Sequence, residues 1–78
     1  MEHNETLIKV QEIFRDVLDD EDIILEDNTI ADDIEDWDSL SHIQLIKEIE
    51  KCFSIRFTSR EILSWNNVGE MIHCIISK

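Results

Sequence analysis

Apolar residues recur through the first part of the chain at Leu7, Val10, Phe14 and Val17, with Ile13 and Leu18 beside them. Intervals of three and four put these side chains on one face of a helix, predicted from about Asn4 to Leu18. The run Asp19-Asp20-Glu21-Asp22 is expected to end it, because carboxylates oppose the negative end of the helix dipole. Residues 19–38 then lose the helical period. Their charge is interrupted by Ile23, Ile24, Leu25, Ile30, Ile34 and Trp37, too many apolar side chains for a solvated linker. The stretch reads as a long loop pinned to the core by these residues, and loops longer than about 12–15 residues in compact domains tend to carry function.

Helical spacing returns at Leu40, Ile43, Leu45, Ile46, Ile49 and Phe53, with Asp38 placed as the N-cap of this second helix. Ser54-Ile55-Arg56-Phe57 is short and alternating, an extended connector. Thr58 with Glu61 three residues on forms a capping box, and Phe57 and Ile62 stand where a hydrophobic staple closes the same turn. A short third helix, about Ser59 to Ser64, follows. Asn67 and Glu70 repeat the capping pattern and open a fourth helix along Val68, Met71, Ile72, Ile75 and Ile76. With no proline and a single glycine, the chain has little to make hairpins from. The expected fold is therefore all-α, a four-helix bundle with a long loop between helices 1 and 2 and a short third helix, forming one domain over residues 1–78.

Size narrows the function. A chain of 78 residues buries only about 60–65% of the surface its unfolded form exposes, enough for a modest groove but hardly for a closed catalytic pocket. This favours a module on which other proteins act. Charge narrows it further: 19 acidic against 7 basic residues give a net charge of −12. The imbalance is confined to residues 1–38, where 15 carboxylates face only Lys9 and Arg15, while residues 39–78 carry a net +1. Such a field repels phosphate backbones and anionic lipid, which argues against nucleic acid and membrane surfaces and in favour of basic patches on other proteins. The plainest role of the acidity is solubility. The opening Met-Glu-His-Asn-Glu has no secretory character and no apolar run approaches membrane-spanning length, so a cytoplasmic monomer is expected. Cys52 and Cys74 make neither a disulfide framework nor a zinc site, and read as small apolar helix residues in a reducing compartment.

The candidate chemistry gathers around Ser39. Asp36, Asp38, Ser39 and His42 lie close together, and Ser39 and His42 at i and i+3 share a helix face. A hydrolytic triad nevertheless needs an oriented base and an oxyanion hole, and one exposed helix end supplies no wall for a substrate; no Gly-x-Ser-x-Gly elbow is present. The carboxylates Asp27, Asp32, Asp33, Glu35, Asp36 and Asp38 fit no calcium loop, because the only glycine, Gly69, is far away; no metal site is expected. By position alone, an ordinary first-turn serine is the simpler reading of Ser39.

The segment Ile34-Glu35-Asp36-Trp37-Asp38-Ser39-Leu40, with Ser41-His42-Ile43-Gln44-Leu45-Ile46, the Phe53-Ser54-Ile55-Arg56-Phe57 exit and the Asn67-Val68-Gly69-Glu70 opening of the last helix, resembles the acyl carrier protein family over essentially the whole chain. Asp38-Ser39-Leu40 matches that family's phosphopantetheine attachment motif. The resemblance implies a carrier that is not itself an enzyme. A phosphopantetheinyl transferase would place a 4'-phosphopantetheine arm on Ser39, and acyl-loading and acyl-processing enzymes would use its thioester in a fatty-acid, polyketide-like or specialised cell-surface pathway. An aminoacyl or peptidyl carrier loaded by an adenylating ligase shares fold and arm, and an unmodified acidic interaction module is the reading from another class. A helix start suits the attachment, since its free N–H groups and dipole stabilise an anion, although Asp36 and Asp38 oppose that. The implied partner-facing residues are Asp36, Trp37, Ser41, His42, Gln44 and Glu48, with Trp37 also anchoring the loop, and a groove for the cargo is expected along Ile46, Ile49, Ile62 and Met71. Trp37 before the motif resembles stand-alone carriers of dedicated pathways. The second helix carries mixed charge, Lys47, Glu48, Glu50 and Lys51, where carriers of fatty-acid synthesis present mainly acidic residues.

Overall fold

In the computed structural model, which describes residues 2–78, the chain forms α1 (His3–Val17), α2 (Ser39–Phe53), α3 (Ser59–Ser64) and α4 (Val68–Ile76), with one 3-10 turn at Ala31–Asp33. No strand occurs among the described residues, and the all-α expectation holds. Met1, the first residue of the expected domain, lies outside them. α1 packs against both α2 and α4. Val10 and Phe14 of α1, Leu45 and Ile49 of α2, and Val68 and Ile72 of α4 are wholly buried between them. Each such side chain contributes about 1.5–3 kcal/mol on leaving water, and together they hold the bundle closed.

α1 starts and stops one residue earlier than its apolar period suggests, and backbone geometry rather than charge ends it. Asp19 takes the left-handed conformation (φ 52°), and the Asp20 N–H turns back to the Arg15 carbonyl at 3.0 Å. That closure satisfies a carbonyl the helix would otherwise leave free. Ser54 ends α2 in the same way, at φ 56°, with the Ile55 N–H on the Glu50 carbonyl at 3.0 Å.

The long loop is pinned, but by fewer apolar residues than its composition offers. Around Ile24 the chain is extended, so neighbouring side chains alternate: Ile23 and Leu25 are 6% and 3% exposed, and Ile24 is 70% exposed. Ile30 also faces solvent, while Ile34 and Trp37 pack at the edge of the core. Polar groups of α1 do the rest. Arg15 Nε donates to the Ile23 carbonyl at 2.8 Å, and Gln11 Oε1 accepts from the Leu25 N–H at 2.9 Å.

The middle of the loop completes α4. Asn67 Oδ1 accepts from the Glu70 N–H at 2.9 Å, but the Glu70 carboxylate does not return to the Asn67 N–H, so the expected box is only half formed. The remaining first-turn donors go to the loop: Val68 N–H to the Thr29 carbonyl at 2.9 Å and Gly69 N–H to the Asp27 carbonyl at 2.8 Å. A Cβ at position 69 would lie 2.9 Å from that Asp27 oxygen, which is why the chain's single glycine stands there. α3 forms as its capping box predicts. Thr58 Oγ1 accepts from the Glu61 N–H at 3.1 Å, and Glu61 returns an oxygen to the Thr58 N–H at 2.9 Å. Phe57 meets Trp65 edge to face, with ring centres 4.9 Å apart. Of the cysteines, Cys52 is exposed rather than apolar-facing, and Cys74 is half-buried beside Glu61.

Candidate functional site

Asp38 ends the loop in an extended conformation and caps α2. Its Oδ1 accepts from the Leu40 N–H at 3.1 Å and from the Ser41 N–H at 2.9 Å. Those donors, the Ser41 N–H foremost, hold its carboxyl below the usual carboxylate range. Ser41 closes the cap from the other side. Its hydroxyl accepts from the Asp38 N–H at 2.8 Å and donates to the Asp36 carbonyl at 2.8 Å. Buried and engaged inwards, Ser41 has nothing to offer a partner, which corrects its expected place on the docking face. The missed signal was a capping box with serine in the position usually held by Glu or Gln.

The cap corrects a second expectation. Most of the helix-start donors that would steady an anion are already used, Leu40 and Ser41 N–H by Asp38 Oδ1 and His42 N–H by the Asp38 carbonyl at 2.9 Å, which leaves the Ser39 N–H alone without a described partner. Ser39, the first residue of α2, is exposed. The same construction that leaves it outside supplies a rigid start from which its hydroxyl projects.

Trp37 and His42 form one unit. The indole packs edge-on against Phe14 at 4.8 Å between ring centres and lies beside His42, with ring centres 5.9 Å apart and planes 23° from parallel. Its Nε1–H donates to His42 Nδ1 at 3.0 Å. Trp37 is thus the loop anchor foreseen from sequence. His42 is half-buried and tied to it rather than standing free at the surface, and burial pushes its imidazole pKa below the ordinary value.

Beside Ser39 opens a cavity of about 450 Å³ between α2, α3 and the loop, lined by Ser39, His42, Ile62, Leu63, Trp65 and Met71 among others. Two of the four expected groove residues, Ile62 and Met71, belong to it. Ile46 and Ile49 are instead buried on the inner side of α2, Ile49 in the core with α1 and α4. The α2 pattern had merged two stripes: Leu45, Ile46 and Ile49 point inwards, whereas Leu40 and Ile43 are 69% and 54% exposed. Leu40 flanks Ser39 on the outside, where Leu63 of α3 is 84% exposed. Asp36, Gln44 and Glu48 are exposed as expected. Among the described residues, no three His, Cys, Asp or Glu side chains converge in a way that could hold a metal ion.

Residues 9–75 match the family model described as the phosphopantetheine attachment site. The chain belongs to this family, that of the acyl carrier proteins. The carrier is also similar to a solved structure, the solution NMR structure of a holo acyl carrier protein from Geobacter metallireducens. The two share 41% sequence identity over 94% of this chain and 84% of that one, with a TM-score of 0.88. A search of curated proteins finds no match. The cofactor of the carrier is accordingly 4'-phosphopantetheine. The local structure fits such a group: an exposed hydroxyl at Ser39, no wall in front of it, and an open, largely apolar cavity alongside.

Proposed function

We propose that Ser39 is the attachment residue and that the carrier presents an acyl thioester to a succession of partner enzymes. The observation that carries this reading is the position of Ser39, exposed at the first turn of α2 and at the rim of the cavity, within the Asp38-Ser39-Leu40 motif of a chain of this family. In the loading step, Ser39 Oγ forms the phosphoester bond while the pyrophosphate bond of coenzyme A breaks and the adenosine bisphosphate leaves. The hydroxyl proton passes to a base of the phosphopantetheinyl transferase. The attached arm supplies a thiol that holds the acyl group as a thioester. Asp38 and Ser41 keep the helix start rigid under the moving arm, and Ile62, Leu63, Trp65 and Met71 offer it an apolar resting place.

Docking is proposed to involve Asp36, Trp37, Gln44, Glu48 and the exposed Leu40, with the acidic loop steering basic partner surfaces. His42 shares that edge through Trp37. The mixed charge of α2 supports a dedicated pathway over general fatty-acid synthesis. No helix among the described residues is long and apolar enough to cross a membrane, in keeping with a carrier that works as a monomer in the cytoplasm. Intact mass after incubation with a broad-specificity phosphopantetheinyl transferase and coenzyme A tests the assignment. The wild type and Ser41→Ala gain the mass of one arm and Ser39→Ala gains none; an unchanged wild-type mass refutes it. Mass spectrometry of the cargo released from native material distinguishes acyl from aminoacyl loading.

A further inference from the structure

The capped start of α2 creates a deficit. A phosphodiester on Ser39 would be an anion at a helix N-terminus whose Leu40, Ser41 and His42 N–H groups are already taken by Asp38. The Asp38 carboxylate adds a like charge next door. Of the helix-start N–H groups only that of Ser39 is left for the anion, and the residue one turn on is placed to add a second donor. Side chains at i and i+3 of a helix lie about 5–6 Å apart at their Cβ atoms, within reach of a phosphate joined to the first of them. Ser39 and His42 have this spacing and line the same cavity.

The tautomer of His42 is fixed by its neighbour. Trp37 Nε1 can only donate, so His42 Nδ1, 3.0 Å away, must accept and carries no proton. The neutral ring then bears its proton on Nε2. No described residue engages that nitrogen, nor is it sealed from solvent. A donor of fixed orientation thus stands at the cavity rim with nothing to donate to. The nearly coplanar bond to Trp37, itself braced by Phe14, holds the ring plane in place.

We propose that His42 is a binding residue for the arm: its Nε2–H donates a hydrogen bond to the phosphodiester on Ser39, and Trp37 acts behind it by holding the ring and its tautomer. The inference rests on Ser39 being the attachment residue and adds to that reading a recognition element for the anion. It also gives the Trp37–His42 bond a purpose beyond loop anchoring. The root of the arm is drawn towards the cavity side of α2 and away from Asp38.

The test uses the intact protein in its apo form and after loading by a transferase and coenzyme A, with loading followed by intact mass. Long-range ¹H–¹⁵N spectra of the imidazoles should show His42 as the Nε2–H tautomer in both forms, with its Nε2 resonance shifted on loading and that of His73 unmoved. The ³¹P resonance of the loaded protein should shift in His42→Phe and stay near the wild-type position in His42→Gln, whose amide can still donate. Trp37→Phe, which keeps an aromatic ring but loses the donor, should admit the Nδ1–H tautomer. Loading that leaves the His42 Nε2 resonance unchanged, or an Nδ1–H tautomer in the wild type, overturns the proposal and spares the attachment reading. Absence of any mass gain overturns both.

Discussion

Replacing Gly69 by alanine sets two effects of opposite sign against each other. Within a helix, alanine is favoured over glycine by up to about 1 kcal/mol, and the backbone at this position needs no left-handed conformation. Propensity alone therefore makes Gly69→Ala stabilising. The surroundings say otherwise: the added methyl would lie 2.9 Å from the Asp27 carbonyl oxygen and 3.1 Å from the Asp27 Cβ. That oxygen is backbone, and it cannot withdraw without stretching the 2.8 Å bond it receives from the Gly69 N–H and disturbing the neighbouring Val68–Thr29 bond. Forcing an extra methylene into a packed contact costs about 1–3 kcal/mol, and the two weakened hydrogen bonds together about 1 kcal/mol more. The balance is a loss of about 1–3 kcal/mol. At this size each kcal/mol moves Tm by about 4–8 °C, so a fall on the order of 10 °C is expected. Urea melts with an unchanged m-value and faster amide exchange at Val68 and residue 69 should accompany it. A variant as stable as the wild type, or more so, would show that the loop does not press on α4 as described.

Three further outcomes follow from the site and its rim. Trp37→Ala removes the Phe14 contact and the His42 bond together and should cost about 2–3 kcal/mol, less than the full penalty of a buried tryptophan because the ring is half-exposed; Trp37→Phe should lose about 1 kcal/mol, and equal losses in chemical denaturation would contradict the hydrogen bond's role. Lys78, followed by the Thr58 N–H, lowers the Glu61 carboxyl from 4.5 to about 2; with the folded value below the unfolded one, its stabilisation is complete above about pH 4.5 and disappears as the pH falls towards 2. The gap in urea midpoint between wild type and Glu61→Gln should therefore narrow over that interval, and a constant gap counts against the ion pair. Joint replacement Asp32→Asn, Asp33→Asn and Glu35→Gln should slow loading by a cognate enzyme about tenfold at low salt and far less when salt screens the loop; unchanged low-salt rates in stopped-flow measurements rule out steering by the loop.

α1, with no side-chain cap, was legible in the sequence from its apolar period alone, whereas α2, α3 and α4 were legible because each carries its own punctuation, Asp38, Thr58 with Glu61, and Asn67. Ser39 at the start of α2 was legible for the same reason. What escaped depended on contacts between segments distant in sequence. A three–four spacing of leucines and isoleucines does not say which of two adjacent stripes turns inwards, so Leu40 and Ile43 were grouped with Leu45 and Ile49. The cavity lies between α2, α3 and the loop, and no single period could tell Ile62, which lines it, from Ile46, which does not. The end of α1 was placed within a residue but for the wrong cause, because carboxylates at a helix end are visible in sequence and a left-handed Asp19 is not. His42 was noticed for its nearness to Ser39 and as a partner-facing residue; its bond to Trp37 required the loop to fold back over Phe14.

The docking of the loop onto α4 has a mechanical consequence. Nine residues of helix are too few to persist alone in water, and α4 borrows Asp27 and Thr29 to finish its first turn. The cavity walls supplied by Ile30 and Ala31 on one side and Met71 on the other therefore melt or hold as one cooperative block. α3, six residues long with no fully buried side chain, is another wall, beside the start of α2. Lacking a core of its own, α3 is held at its ends, by the Phe57–Trp65 contact and by the ion pair of Glu61 with Lys78.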